Sequence, residues 1–147
     1  MKTHEFLFEG TWRGSGTLEN TLHFDEVMVI KKHKKDVYDY FHRSICKENS
    51  ETRSESGFIT ISDHNRTAGL TIMLPGGLCS PETGSMTDNC IELNSKHEVR
   101  SPHLDELHTM HVKRILKIEH GKLLLNIEIA KDSEPYTPHF EAEFKKT

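Results

Sequence analysis

Met110-His111-Val112-Lys113-Arg114-Ile115-Leu116-Lys117-Ile118-Glu119-His120-Gly121-Lys122-Leu123-Leu124-Leu125-Asn126-Ile127-Glu128-Ile129-Ala130-Lys131 is the stretch whose reading decides the fold. In its second half Leu123, Leu125, Ile127 and Ile129 alternate with Lys122, Leu124, Asn126 and Glu128. A repeat of two places the first set on one face of a β-strand, turned toward a core. His120-Gly121 supplies a two-residue hairpin turn, with glycine taking the positive φ. Pairing back from that turn sets Glu119 opposite Lys122 and Ile118 opposite Leu123. The inward set of the preceding strand is then Ile118, Leu116, Arg114, Val112 and Met110. One member is a charge. Arg114 points into the interior opposite Ile127 and must find a partner there. Two uses are open. One is a structural ion pair, for instance with Glu26, which shares a phase with Leu22, Phe24, Met28 and Ile30. The other is a counter-charge for a ligand carboxylate.

Working outward, period-2 segments recur at short intervals, separated by Gly, Pro, Asn, Asp and Ser, with no sustained helical period. Strands are expected at 11–17, 22–31, 36–46, 55–62, 66–74, 77–81, 84–94, 107–118, 122–131 and 138–145. Gly76-Gly77 reads as a turn. The expectation is an all-β chain, one domain over 1–147. It is an up-and-down antiparallel β-barrel of about ten strands, of the lipocalin and fatty-acid-binding-protein kind. Closure removes the exposed edges that so many short strands would otherwise present. Only 34% of residues are hydrophobic. A barrel with a partly polar interior accommodates that low figure.

Charge narrows the partners. Nineteen Lys and Arg against 23 Asp and Glu give a net charge of −4, and the one basic run, Lys31–Lys35 with His33, falls where a solvated turn is expected. Nucleic acid is not an expected partner. No apolar run approaches the roughly 18 residues of a membrane helix, and the N-terminus lacks the pattern of a secretory signal. Cys46, Cys79 and Cys90 have no metal or redox spacing and cannot all pair. A soluble, reduced, cytoplasmic protein is the expectation. No base is apparent beside any of the three thiols, so a buried structural role is expected for them. His108 and His111 lie on opposite faces of a strand, which argues against a zinc site.

The first strand opens Gly10-Thr11-Trp12-Arg13-Gly14-Ser15-Gly16. A Trp between glycines suits a ring that plugs a barrel end where backbones cross closely. As a pattern, GxWxGxG resembles the opening motif of the nitrobindin family, haem-binding relatives of the fatty-acid-binding barrels. Further segments agree in order and spacing. Arg53-Ser54-Glu55-Ser56-Gly57-Phe58 resembles a mid-chain strand start. Leu74-Pro75-Gly76-Gly77-Leu78 followed by Glu82-Thr83-Gly84 resembles the central turn and next strand, and Arg114–Gly121 the penultimate hairpin. Pro135-Tyr136-Thr137-Pro138-His139-Phe140-Glu141-Ala142 resembles the closing segment.

The resemblance implies a ten-stranded barrel holding ferric haem (haem b) through one histidine near the C-terminus. It also implies binding of nitric oxide and isomerisation of peroxynitrite to nitrate. Carried over by position, His139 is the iron ligand. Arg53 stands where a pocket-lining histidine is common, and Ile129 where a methionine is common. Two departures are visible. Between Gly16 and Phe24 the chain has only TLENTLH, where the family carries a longer loop, and little precedes GxWxGxG. Strand alternation groups His139 with Glu141 and Glu143, away from Phe140, Ala142 and Phe144. Its ring reaches a ligand only from the barrel rim or beside a bulge. A haem-free carrier of a fatty acid anchored at Arg114, and a ligand-free interaction module, are the alternatives.

Overall fold

The structure is a computed structural model that describes residues 5–73, 79–100 and 107–147. Ten strands follow one another: β1 (Gly10–Leu18), β2 (Leu22–Lys34), β3 (Val37–Cys46), β4 (Thr52–Ser62), β5 (Thr67–Met73), β6 (Cys79–Met86), β7 (Cys90–Arg100), β8 (Leu107–Glu119), β9 (Lys122–Lys131) and β10 (Thr137–Lys146). Each pairs antiparallel with its neighbour in sequence, and β1 pairs with β10, closing the barrel. No described helix is long and apolar enough to cross a membrane.

The β8–β9 hairpin has the expected register: Glu119 faces Lys122, Ile118 faces Leu123 and Arg114 faces Ile127. His120 and Gly121 both have positive φ, 53° and 76°, the geometry of a type I′ turn. Leu116, Leu123 and Leu125 are fully buried, so the period-2 reading put the right face inward.

The sixth and seventh strands differ from expectation. Read from sequence, a strand at 77–81 gives way at Gly84 to another at 84–94. In the structure β6 continues through Gly84 to Met86, the turn falls at 87–89, and β7 runs to Arg100. Gly84 is in the sheet because of its missing side chain: a Cβ there would lie 1.8 Å from the Glu92 carbonyl oxygen. The glycine that looked like a break is a close crossing of two strands. β2 likewise runs on through Lys34, so the basic run is largely an exposed strand end rather than a turn. The expected turn at Gly76-Gly77 lies outside the described residues.

One mouth is plugged from the N-terminal side. Phe8 and Trp12 are buried, the Trp12 indole N–H donates to the Phe8 carbonyl at 3.0 Å, and Phe6 lies 4.3 Å from the Tyr38 ring. The apolar core continues through Met28, Ile30, Tyr40, Ile59, Leu70, Ile72, Ile91 and Leu93 toward Phe144. The opposite mouth, reached by Leu18, the start of β4 and the start of β10, is not filled in this way.

Candidate functional site

At that mouth a cavity of about 470 Å³ opens into the barrel. Its walls are apolar, from Leu18, Phe24, Ile127 and Phe140; Arg53 and His139 stand at its lip, and His42, Ser44 and Glu55 form its polar floor.

His139 reaches this cavity through a backbone irregularity. Pro138 pairs with Glu128 and Phe140 with Ile127, so the register slips between them and His139 is the extra residue of a bulge. Strict alternation, which points His139 outward, is therefore broken at this residue. Its side chain is 31% exposed. The ring is held from the β1–β2 turn: Nδ1 lies 3.3 Å from Glu19 Oε1, and the Glu19 N–H donates to the His139 carbonyl at 2.9 Å. Glu19 and Asn20 adopt φ of 48° and 58°, so the shortened TLENTLH connection is a tight turn that carries Glu19 to the histidine. Among the described residues Nε2 has no hydrogen-bond partner.

Behind the floor lies a buried polar network. Arg114 donates from Nε to Glu82 Oε1 at 3.0 Å, from one terminal nitrogen to Tyr40 and Glu55, and from the other to Glu55 and Glu82. That uses all five of its N–H donors. His42 is clamped between Glu26, at 2.6 Å from Nε2, and Glu55, at 3.2 Å from Nδ1. Ser44 donates to the same Glu26 oxygen at 2.6 Å. Burial alone would make the His42 ring harder to protonate, but its bonds to Glu26 and Glu55 outweigh that and raise its pKa above the usual value. Burial likewise opposes ionisation of Glu55, yet Arg114 and His42 hold its carboxyl well below the usual range. Glu26 Oε1 is buried with no partner among the described residues.

Of the residues singled out by sequence, the structure brings Arg53 and His139 to one lip. Ile129 is half-buried opposite Thr137 and Val112 and is not part of the cavity lining. Arg114 is interior, as its phase required, and it sits in structural ion pairs, but Glu26, the partner offered as an example, is not among them. Glu26 belongs to His42 and Ser44, while Arg114 takes Glu82 and Glu55. The reason is lateral geometry: Glu26 sits on β2, and the side chains converging on Arg114 come from β3, β4 and β6. Sequence reasoning missed His42, Glu55 and Glu82. His42 and Ser44 share the inward phase of Tyr38, Tyr40 and Cys46, a polar stripe whose signal was available. Glu82 was hidden by the misplaced strand break. Cys46 is buried, its thiol 3.3 Å from Glu48, and Cys90 is half-buried. The side chain of Cys79 lies outside the described residues, as does that of His108.

The model of one protein family, described as the THAP4-like, heme-binding beta-barrel domain, matches residues 4–146. Peroxynitrite isomerase 1 of Rhodococcus jostii (strain RHA1) is 26% identical over 147 residues, covering 95% of this chain and 80% of that protein. Among solved structures, Rv2717c from M. tuberculosis superposes with a TM-score of 0.72 at 17% identity, covering 96% of this chain and 93% of that one. A redesigned β-barrel, mFAP1, bound to DFHBI, gives 0.51 at 9% identity over 95% of each chain. At such identities the two structures speak to the fold.

Proposed function

The chain belongs to the THAP4-like, heme-binding β-barrel domain family, and from that premise we propose that it binds haem in the open mouth, with His139 as the protein's ligand to iron. The observation that carries this reading is the bulge at His139, which turns an otherwise outward histidine to the cavity lip. The residues present fit the group. A coordinating imidazole needs one nitrogen free and the other oriented by an acceptor. Nε2 is unpartnered among the described residues, and Nδ1 faces Glu19. Leu18, Phe24, Ile127 and Phe140 offer the apolar walls that a porphyrin face requires, and Arg53 is the cation at the lip available to its carboxylates.

When bound, haem supplies a ferric iron able to take nitrogen oxides such as nitric oxide or peroxynitrite. The chain's own contribution is to fix the imidazole through Glu19, exclude water along the four apolar walls, and draw anions to the lip with Arg53. An isomerase acting on peroxynitrite is the activity we infer; it rests on the Rhodococcus relative's name. The alternative of a fatty-acid carrier with its head on Arg114 loses its anchor, because every N–H of that guanidinium is already used.

Titration with hemin, following the Soret band, tests the reading. Wild type should bind and His139→Ala should lose most of its affinity while keeping its circular dichroism. Equal affinity in the two proteins would remove His139 as the ligand.

A further inference from the structure

The cavity floor has a donor and acceptor balance that the haem reading leaves unused. His42 has both ring nitrogens on carboxylates, at 2.6 Å and 3.2 Å. The Ser44 hydroxyl proton goes to Glu26 at 2.6 Å. Arg114, directly behind Glu55, has no N–H to spare. Among the described residues the floor therefore has no free side-chain donor. It keeps acceptors: a lone pair of Ser44 Oγ, whose other neighbour is His42 Nε2 at 3.5 Å, and those of Glu55 Oε2, which accepts from Arg114 at 3.2 Å. Formal charge points the same way. His42 and Glu26 sum to zero whichever holds the proton. Arg114 offsets only one of Glu55 and Glu82, leaving one negative charge beneath the cavity.

We infer that the inner end of this cavity selects a ligand whose buried end donates hydrogen bonds and carries no negative charge, such as an amine or hydroxyl, and excludes a carboxylate. A carboxylate pushed to the floor meets only acceptors and a like charge, and its oxygens find no side-chain donor there. An ammonium or hydroxyl completes the valence of Ser44 and Glu55 instead. At the lip the polarity reverses, since Arg53 offers donors there. The cavity is thus polarised along its length, acceptor inside and cation outside. The inference concerns the same cavity as the haem proposal but rests on no property of iron, so each can fail alone.

The test uses the purified chain without added hemin and N-phenyl-1-naphthylamine, a neutral fluorescent probe, in the cavity. Octylamine, octanol and octanoate share a tail and differ in head. The amine and the alcohol should displace the probe at concentrations at least about tenfold below octanoate, since a like-charge contact in a buried site costs more than one factor of ten. In Glu55→Gln the gap for octanoate should narrow severalfold; Glu82→Gln, which removes the other carboxylate facing Arg114 and leaves Ser44 and Glu55 in place at the floor, should do the same should Glu55→Gln melt early. Octanoate equal to or better than octanol in wild type would overturn the inference. So would failure of all three to displace the probe, or a gap unchanged in the folded variant. Loss of the Soret band on hemin titration, with this order of displacement intact, would sink the haem reading alone.

Discussion

Replacing Arg114 with leucine removes the centre of the buried network and leaves its two carboxylates facing each other. Glu82 and Arg114 have side-chain exposures of 2% and 4%, so neither Glu82 nor its surroundings gain much help from water; Glu55, at 19%, gains some. Breaking a buried ion pair from one side costs about 3–5 kcal/mol, because an uncompensated charge stays behind. In a chain of 147 residues, each kcal/mol moves the melting temperature by about 2–4 °C, so Arg114→Leu should melt roughly 6–20 °C lower. The deficit should depend on pH, with a definite sign. In wild type the folded-state pKa of Glu55 is depressed by Arg114 and His42. Its contribution is thus present above the unfolded carboxylate value of about 4.3 and is lost as pH falls below it. In the variant the orphaned carboxylates favour the protonated form and take up protons above that value, so the variant recovers stability as pH falls from 7 toward 4 while wild type has lost little. Urea unfolding of both proteins between pH 7 and pH 4 should show the gap narrowing steadily. A loss below about 1 kcal/mol at pH 7, or a gap that widens toward pH 4, would refute the reasoning.

The raised His42 pKa means that its stabilising charge is fully present below the unfolded value of about 6.5 and is lost as pH rises through the folded value. Unfolding free energies of wild type should therefore fall relative to His42→Gln above pH 6.5, and parallel curves would contradict the clamp. Gly14→Ala places a Cβ 1.8 Å from the Glu143 carbonyl oxygen, where β1 and β10 close the barrel, and should cost about 3 kcal/mol or more by thermal melting. Gly121→Ala has nothing within 4 Å and pays only for positive φ, about 1–2 kcal/mol, so it should be the milder of the two. Glu48, bonded by the His23 backbone and ring, should titrate at about 2 by NMR, and His23→Ala, which keeps the backbone N–H bond that lowers it most, should raise it only part of the way toward an ordinary carboxylate value.

The hairpin of β8 and β9 was legible in the linear chain because every element of it is local. Alternation selects the faces, His120-Gly121 selects the turn, and together they leave one register, which places Arg114 inside. The number of strands followed from the same local signals, and so did closure, since ten short strands in series leave edges that must be hidden. The partner of Arg114 was not local. Glu82, Glu55 and Tyr40 lie 32, 59 and 74 residues away along the chain. Alternation tells which face a residue takes, but only the stagger of the closed barrel decides which inward side chains share a level, so Glu26 could be offered as a partner although it sits at another place on the wall. His139 shows the same limit at shorter range. A bulge inverts the phase of one residue, and the tight Glu19-Asn20 turn grips that residue by its carbonyl and its ring. The motif around His139 singled it out as a candidate, and the tertiary contact from the far end of the chain decided where its imidazole points.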